Sequence, residues 1–208
     1  MQNYIGFYWT LPVPWAGFRD LPNNVDEASG LSRTIRYQRD RVRHWVKEEK
    51  GELIDEAVFL ETEPDRGSDL ILPVVEKLLD QCREQGARLV LVNFTLAFGW
   101  RQHHELWWRL HELPDLVEPL DPIPIPIEGE VFDPVSHFRQ WQKASADWVS
   151  GKAERVDIVA RQIGKLSSSG LSHRQIAEAL NDAGILTPAS GRPWTKDNVG
   201  KFLKDRLT

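Results

Sequence analysis

Apolar positions along this chain follow two periods, and the change from one to the other divides it. Tyr4, Ile5, Phe7, Tyr8 and Trp9 form a short apolar run, which predicts a buried strand. Pro12, Pro14, Gly17, Pro22, Asn23 and Asn24 then predict a long irregular loop over 10–30. Across 32–49, Ile35, Val42, Trp45 and Val46 fall near one helical face, charged residues occupy the rest, and Gly51 marks the stop. Residues 53–60 read as a second strand. Leu72, Val75, Leu78, Leu79 and Cys82 sit at helical spacing within 70–85, ahead of Gly86. Residues 88–94, with the unbroken run Leu89 to Val92, suit the middle of a parallel sheet. Strand, helix, strand, helix, strand is the α/β order.

The pattern then loosens. A further helix is expected over 99–112 and a short strand at Leu116 and Val117. Pro122, Pro124 and Pro126 exclude both a helix and a central strand, so 121–126 reads as an extended connector. Asp133 followed by Pro134 has the form of a helix start. Val135, Phe138, Trp141, Ser145 and Trp148 continue it as one aromatic stripe that must pack on something, up to Gly151.

Period 3.6 dominates the C-terminal part, which resolves into three short helices. The first covers about 153–166, with Val156, Val159, Ile163 and Leu166 inward. The second begins at Ser172, which forms a capping box with Gln175; Ile176, Ala179 and Leu180 supply its apolar face and Gly184 its end. The third starts at Thr195 and turns Val199, Phe202 and Leu203 inward. The expected organisation is an α/β domain over 1–128, a connecting and dimerising helix over 129–151, and a small helical domain over 152–208.

Charge sharpens this division. Residues 151–208 carry 10 Lys+Arg against 6 Asp+Glu, a net +4, while residues 1–150 carry 16 against 25, a net −9. A basic tail on an acidic body confines polyanion contact to the tail. The residues left outside by the apolar faces are the candidates for that contact: Arg174, Arg192, Lys196, Asn198, Lys201 and Lys204. Lysines meet phosphates, an asparagine can bond a base edge bidentately, and Arg192 is placed at the tip of a turn within 187–194. Asp197 departs from a purely cationic face. The same helices also fit a protein-interaction module whose lysines are ordinary surface.

Hydrophobic residues make up 41% of the chain, enough for a real core, and no apolar run reaches the roughly 18 residues a membrane span requires. No basic leader with a cleavage site is visible, and Cys82 is the only cysteine, so a cytoplasmic setting without an intrachain disulfide is expected.

The run from Gly170 to Asn181, then Gly184-Ile185-Leu186-Thr187-Pro188, then Gly191-Arg192-Pro193-Trp194-Thr195 and Val199, resembles the DNA-binding segment of serine recombinases. The N-terminal part resembles that family's catalytic domain more faintly, through Gln38-Arg39 within 31–45, the stretch from Pro73 to Leu79, and the strand from Arg88 to Asn93. The resemblance implies a resolvase-like parallel sheet followed by a long helix and a helix-turn-helix domain. It implies double-stranded DNA as partner and a homodimer or higher oligomer. It also implies a serine nucleophile inside a clamp of arginines, because charge builds on the phosphate oxygens during transfer. Here Gly6 stands at the first arginine, Tyr8 at the serine and Leu72 at the arginine before proline. Asn93 to Gly99 replaces a run bearing an aspartate and two arginines, and only Arg101 lies nearby. No catalytic residue is therefore assigned, and Tyr8 is read as a packed strand aromatic. The expected role is site recognition or regulation, the alternatives being an active recombinase with displaced residues and an adaptor without DNA.

Other chemistry finds little support. His103, His104, Glu105, His111 and Glu112 lack a metal-binding spacing, no glycine-rich nucleotide motif is present, and neither metal nor cofactor is expected. Glu61, Glu63 and Asp65 read as an acidic surface loop, and Arg33, Arg36, Arg39, Arg41 and Arg43 as a helix face paired with nearby acids. Trp107, Trp108, Trp141 and Trp148 are expected in a core or a dimer seam.

Overall fold

The structure, a computed structural model, describes residues 1–61, 70–96 and 104–207, without the side chains of 96, 104, 105, 206 and 207. The chain divides into two compact units. One comprises Met1–Pro12 and Asp20–Gln142, the other Val13–Arg19 and Lys143–Thr208.

In the first unit, β1 (Asn3–Thr10) is followed by α1 (Val25–Leu31), α2 (Arg33–Glu48), β2 (Glu52–Leu60), α3 (Ile71–Gln85), β3 (Ala87–Val92), α4 (His104–His111) and β4 (Val117–Leu120). The strands form one sheet in the order β2-β1-β3-β4, with every pairing parallel. Alternation along β1 explains the layering, because successive side chains point to opposite faces. Tyr4 and Tyr8 join Ile35, Val42 and Val46 of α2 on one face. Ile5, Phe7 and Trp9 join Val75, Leu79 and Cys82 of α3 and Leu106 and Leu110 of α4 on the other. Burial pushes the Cys82 thiol up to about 11. Pro119 sits in β4 at the sheet edge, where its missing N–H costs no ladder bond.

Two segments depart from expectation. Residues 25–31 are helical and not loop: Asn24 caps α1 by accepting from the amides of Asp26 and Glu27, each at 3.0 Å. The proline-rich connector contributes β5 (Ile125–Ile127), which pairs with β6 (Glu130–Phe132) in a two-stranded antiparallel ribbon. Pro126 is tolerated there because both strands of a two-stranded ribbon are edges.

α5 (Pro134–Ser150) starts as expected: Asp133 accepts from the Val135 amide at 3.0 Å and the Ser136 hydroxyl at 2.6 Å. Phe138 is buried in the first unit's core, and the boundary between the units falls within α5 after Gln142. The second unit contains α6 (Lys152–Ser168), α7 (His173–Asp182) and α8 (Lys196–Leu207). None of the described helices is long and apolar enough to cross a membrane.

Candidate nucleic-acid interface

The second unit is built on a small core. Val159 and Ile163 of α6, Ile176, Ala177 and Leu180 of α7, Trp194, and Val199 of α8 are buried together. Ala177 takes the inward place expected of Ala179, which is only half-buried. Polar joints complete what this core cannot hold alone. Ser172 and Gln175 form the predicted capping box. Asn181 clamps the approach to α8 from both sides, donating to the Trp194 carbonyl at 2.9 Å and accepting from its amide at 2.7 Å. Thr187 closes a turn: its amide donates to the Arg192 carbonyl at 2.8 Å, and its hydroxyl oxygen accepts from the Arg192 amide at 2.9 Å.

These joints set where the predicted residues stand. Lys196, Lys201 and Lys204 are exposed on α8, while Val199 is fully buried and Phe202 and Leu203 pack against the core. Phe202 meets Trp194 edge-to-face with ring centroids 5.5 Å apart, which fixes the rotation of α8. Asp197 shares the face of Lys201 and Lys204 by helical spacing. Arg192 is exposed, but it stands at the closing pair of the turn and not at its tip. Arg174 is exposed on α7 and paired with Glu178 at 2.9 Å.

Asn198 is the clearest departure. Its side-chain carbonyl oxygen accepts from the Thr195 backbone amide at 2.7 Å, while its backbone amide donates to the Thr195 hydroxyl at 3.3 Å. The side chain caps α8, so one half of the amide needed for bidentate base contact is already used. His173, at the start of α7, lies beside Gly200; a Cβ there would stand 3.2 Å from the His173 Nδ1. Glycine lets the two helices approach, a signal not recognised in the sequence.

The end of β1, where the resemblance places cleavage chemistry, is differently furnished. Tyr8 is fully buried and donates to Glu56 at 2.7 Å, and Arg43 holds the same carboxylate at 2.6 Å. Burial first, and then the Glu56 charge, raise the Tyr8 pKa well above its ordinary value. The Tyr8 ring lies over Gly6, where a Cβ would meet its hydroxyl oxygen at 2.4 Å. Gln38, fully buried, brackets Trp9 by donating to its carbonyl at 2.8 Å and accepting from its amide at 3.2 Å. Leu72 packs against the apolar cluster under α3, and Asn93 accepts from the Thr95 amide at 3.0 Å. Residues 97–103, with Arg101, lie outside the described residues.

Arg33, Arg36, Arg39 and Arg43 pair with Glu130, Glu128, Asp26 and Glu56 respectively, as a surface-paired helix face should. Among the described residues no group of histidines, cysteines and acids could hold a metal ion. His103 and the side chains of His104 and Glu105 lie outside those residues. His111 bonds the Trp107 carbonyl at 2.6 Å. Glu61 is buried and not part of a surface loop, while Glu63 and Asp65 lie outside the described residues. Trp107 is core, and Trp108 is 76% exposed.

A parallel α/β sheet unit joined to a small, polar-jointed three-helix unit with lysines on its last helix defines the class. Within it, residues 154–208 match the family model described as Recombinase, which links the three-helix unit to DNA recombination. No curated protein and no solved structure matches the chain.

Proposed function

We propose that this protein binds double-stranded DNA through its C-terminal unit and does not cleave it. In this reading α7 and α8 form a helix-turn-helix of the serine-recombinase type, with α8 in the major groove. Lys196, Lys201 and Lys204 meet phosphates, Arg174 and Arg192 reach the flanking backbone, and Asn198 serves as a cap. The resolvase-like sheet unit is a platform for self-association, and α5 forms the seam of a homodimer. The biological role is site recognition or regulation in recombination.

One observation carries the reading. α8 is locked through Val199, Phe202 and Leu203, so its lysines stand on the outside of a unit that matches a recombinase family. The furnishing of β1 supports the absence of cleavage. A nucleophile must lose its proton, and Tyr8 is buried beside a carboxylate that opposes this. Its ring also fills the space above Gly6 in which a clamping side chain would stand.

The test is polarisation of labelled duplex by the full chain, followed by incubation with supercoiled plasmid and a search for protein–DNA adducts. Duplex binding without adducts is expected. An adduct would restore the active-recombinase reading. Failure to bind any duplex would leave the adaptor reading.

A further inference from the structure

The segment Val13–Arg19 belongs to the C-terminal unit, although residues 20–142 separate it from the rest of that unit. It is held by a ring contact and by a hydrogen bond. Trp15 stacks on Trp148, with ring centroids 6.0 Å apart and planes 19° from parallel. The Trp148 ring also lies under the Arg155 guanidinium, 3.5 Å from its centroid. Arg19 donates to the carbonyls of Gly191 and, at 3.3 Å, Pro14.

Gly191 shows how closely the segment is seated. It is buried, its φ is +62°, and a Cβ on it would stand 2.8 Å from the Trp15 Cα. Glycine therefore meets two demands at once, a left-handed backbone and direct contact between two main chains. Gly191 is also the residue before Arg192, and its amide donates to the Thr187 carbonyl at 2.9 Å. A strap that grips Gly191 fixes the turn from which Arg192 projects.

We infer that Val13–Arg19 is a strap that orders the 187–192 turn and so positions Arg192 for phosphate contact, Trp15 and Arg19 being positioning residues. The DNA-binding unit is then discontinuous, and residues 154–208 alone lack part of it. This rests on the DNA-binding reading above, but the hold on the turn is measurable without DNA.

The experiment compares the full chain with Trp15→Ala, Trp15→Phe and Arg19→Gln. Hydrogen exchange at the amides of Thr187, Gly191 and Arg192 is measured first, then duplex affinity against salt on the same samples. Trp15→Ala and Arg19→Gln should raise exchange at the three amides at least tenfold and leave the α7 amides protected. Affinity should fall about three- to tenfold, and the slope of log affinity against log salt should fall by about 0.9, as expected when one phosphate goes unneutralised. Trp15→Phe, which keeps a stacking ring, should restore both. Unchanged exchange in both variants overturns the strap. Raised exchange with unchanged affinity and slope overturns the positioning of Arg192. Raised exchange in a chain that binds no duplex supports the strap and refutes the DNA-binding reading.

Discussion

The two units hold themselves together by different means. The sheet unit has an apolar cluster on each face, and buried Tyr8 reaches the partly exposed Glu56–Arg43 pair. The C-terminal unit has a single small cluster and relies on side chain-to-backbone joints at Ser172, Asn181, Thr187 and Thr195. Small units bury a smaller fraction of their surface, so each joint carries a larger share of the stability. On α8 the same economy leaves Lys196, Lys201 and Lys204 exposed.

Removing core volume should break this comparison most sharply. Ile163→Ala should cost about 2–5 kcal/mol and unfold α6–α8 while β1 and β3 keep their protection in hydrogen exchange. Uniform loss of protection across both units would show that they unfold as one. Asn181→Ala leaves the amide and carbonyl of Trp194 without their partners and should cost about 1–3 kcal/mol, seen as a shift in denaturant midpoint together with altered Trp194 fluorescence. Tyr8→Phe should cost only about 1 kcal/mol, because Glu56 keeps its bond to Arg43, and it should leave duplex binding unchanged.

The smallest effect concerns pH. Asp133 has its pKa lowered, chiefly by the hydrogen bond from Ser136 and then by the backbone amides of Val135 and Ser136. A lowered folded-state value means that its stabilisation of the α5 start is complete above the ordinary carboxylate range. It is lost as pH falls through the lowered value. Asp133→Asn should therefore reduce the melting temperature slightly at neutral pH and converge with the parent in acid. A difference that grows on acidification would contradict this.

What the sequence makes legible follows from the range of the interactions involved. β1, β2, β3, α2, α3 and the capping box at Ser172 rest on neighbours within a few positions, and their periodicity and caps announce them. α1 is hidden because it is short and encloses Gly30, and because Asn24 serves equally as turn former and cap. The partner of Tyr8 lies 48 residues away and that of Arg19 lies 172 away, so neither network leaves a local trace. Lys196, Lys201 and Lys204 are legible because Val199, Phe202 and Leu203 fix the opposite face. The capping role of Asn198 is not legible because its partner is a main-chain amide, which every sequence offers equally.

Salt titration of duplex binding tests the central claim most directly. The full chain and its Lys196→Ala/Lys201→Ala/Lys204→Ala variant would be compared by polarisation across a range of salt concentrations. Affinity of the parent should fall steeply with salt, and the variant's slope should be shallower by about 0.9 for each phosphate it no longer neutralises. Equal slopes, or parent binding indifferent to salt, would contradict the assignment of α8 to the DNA backbone.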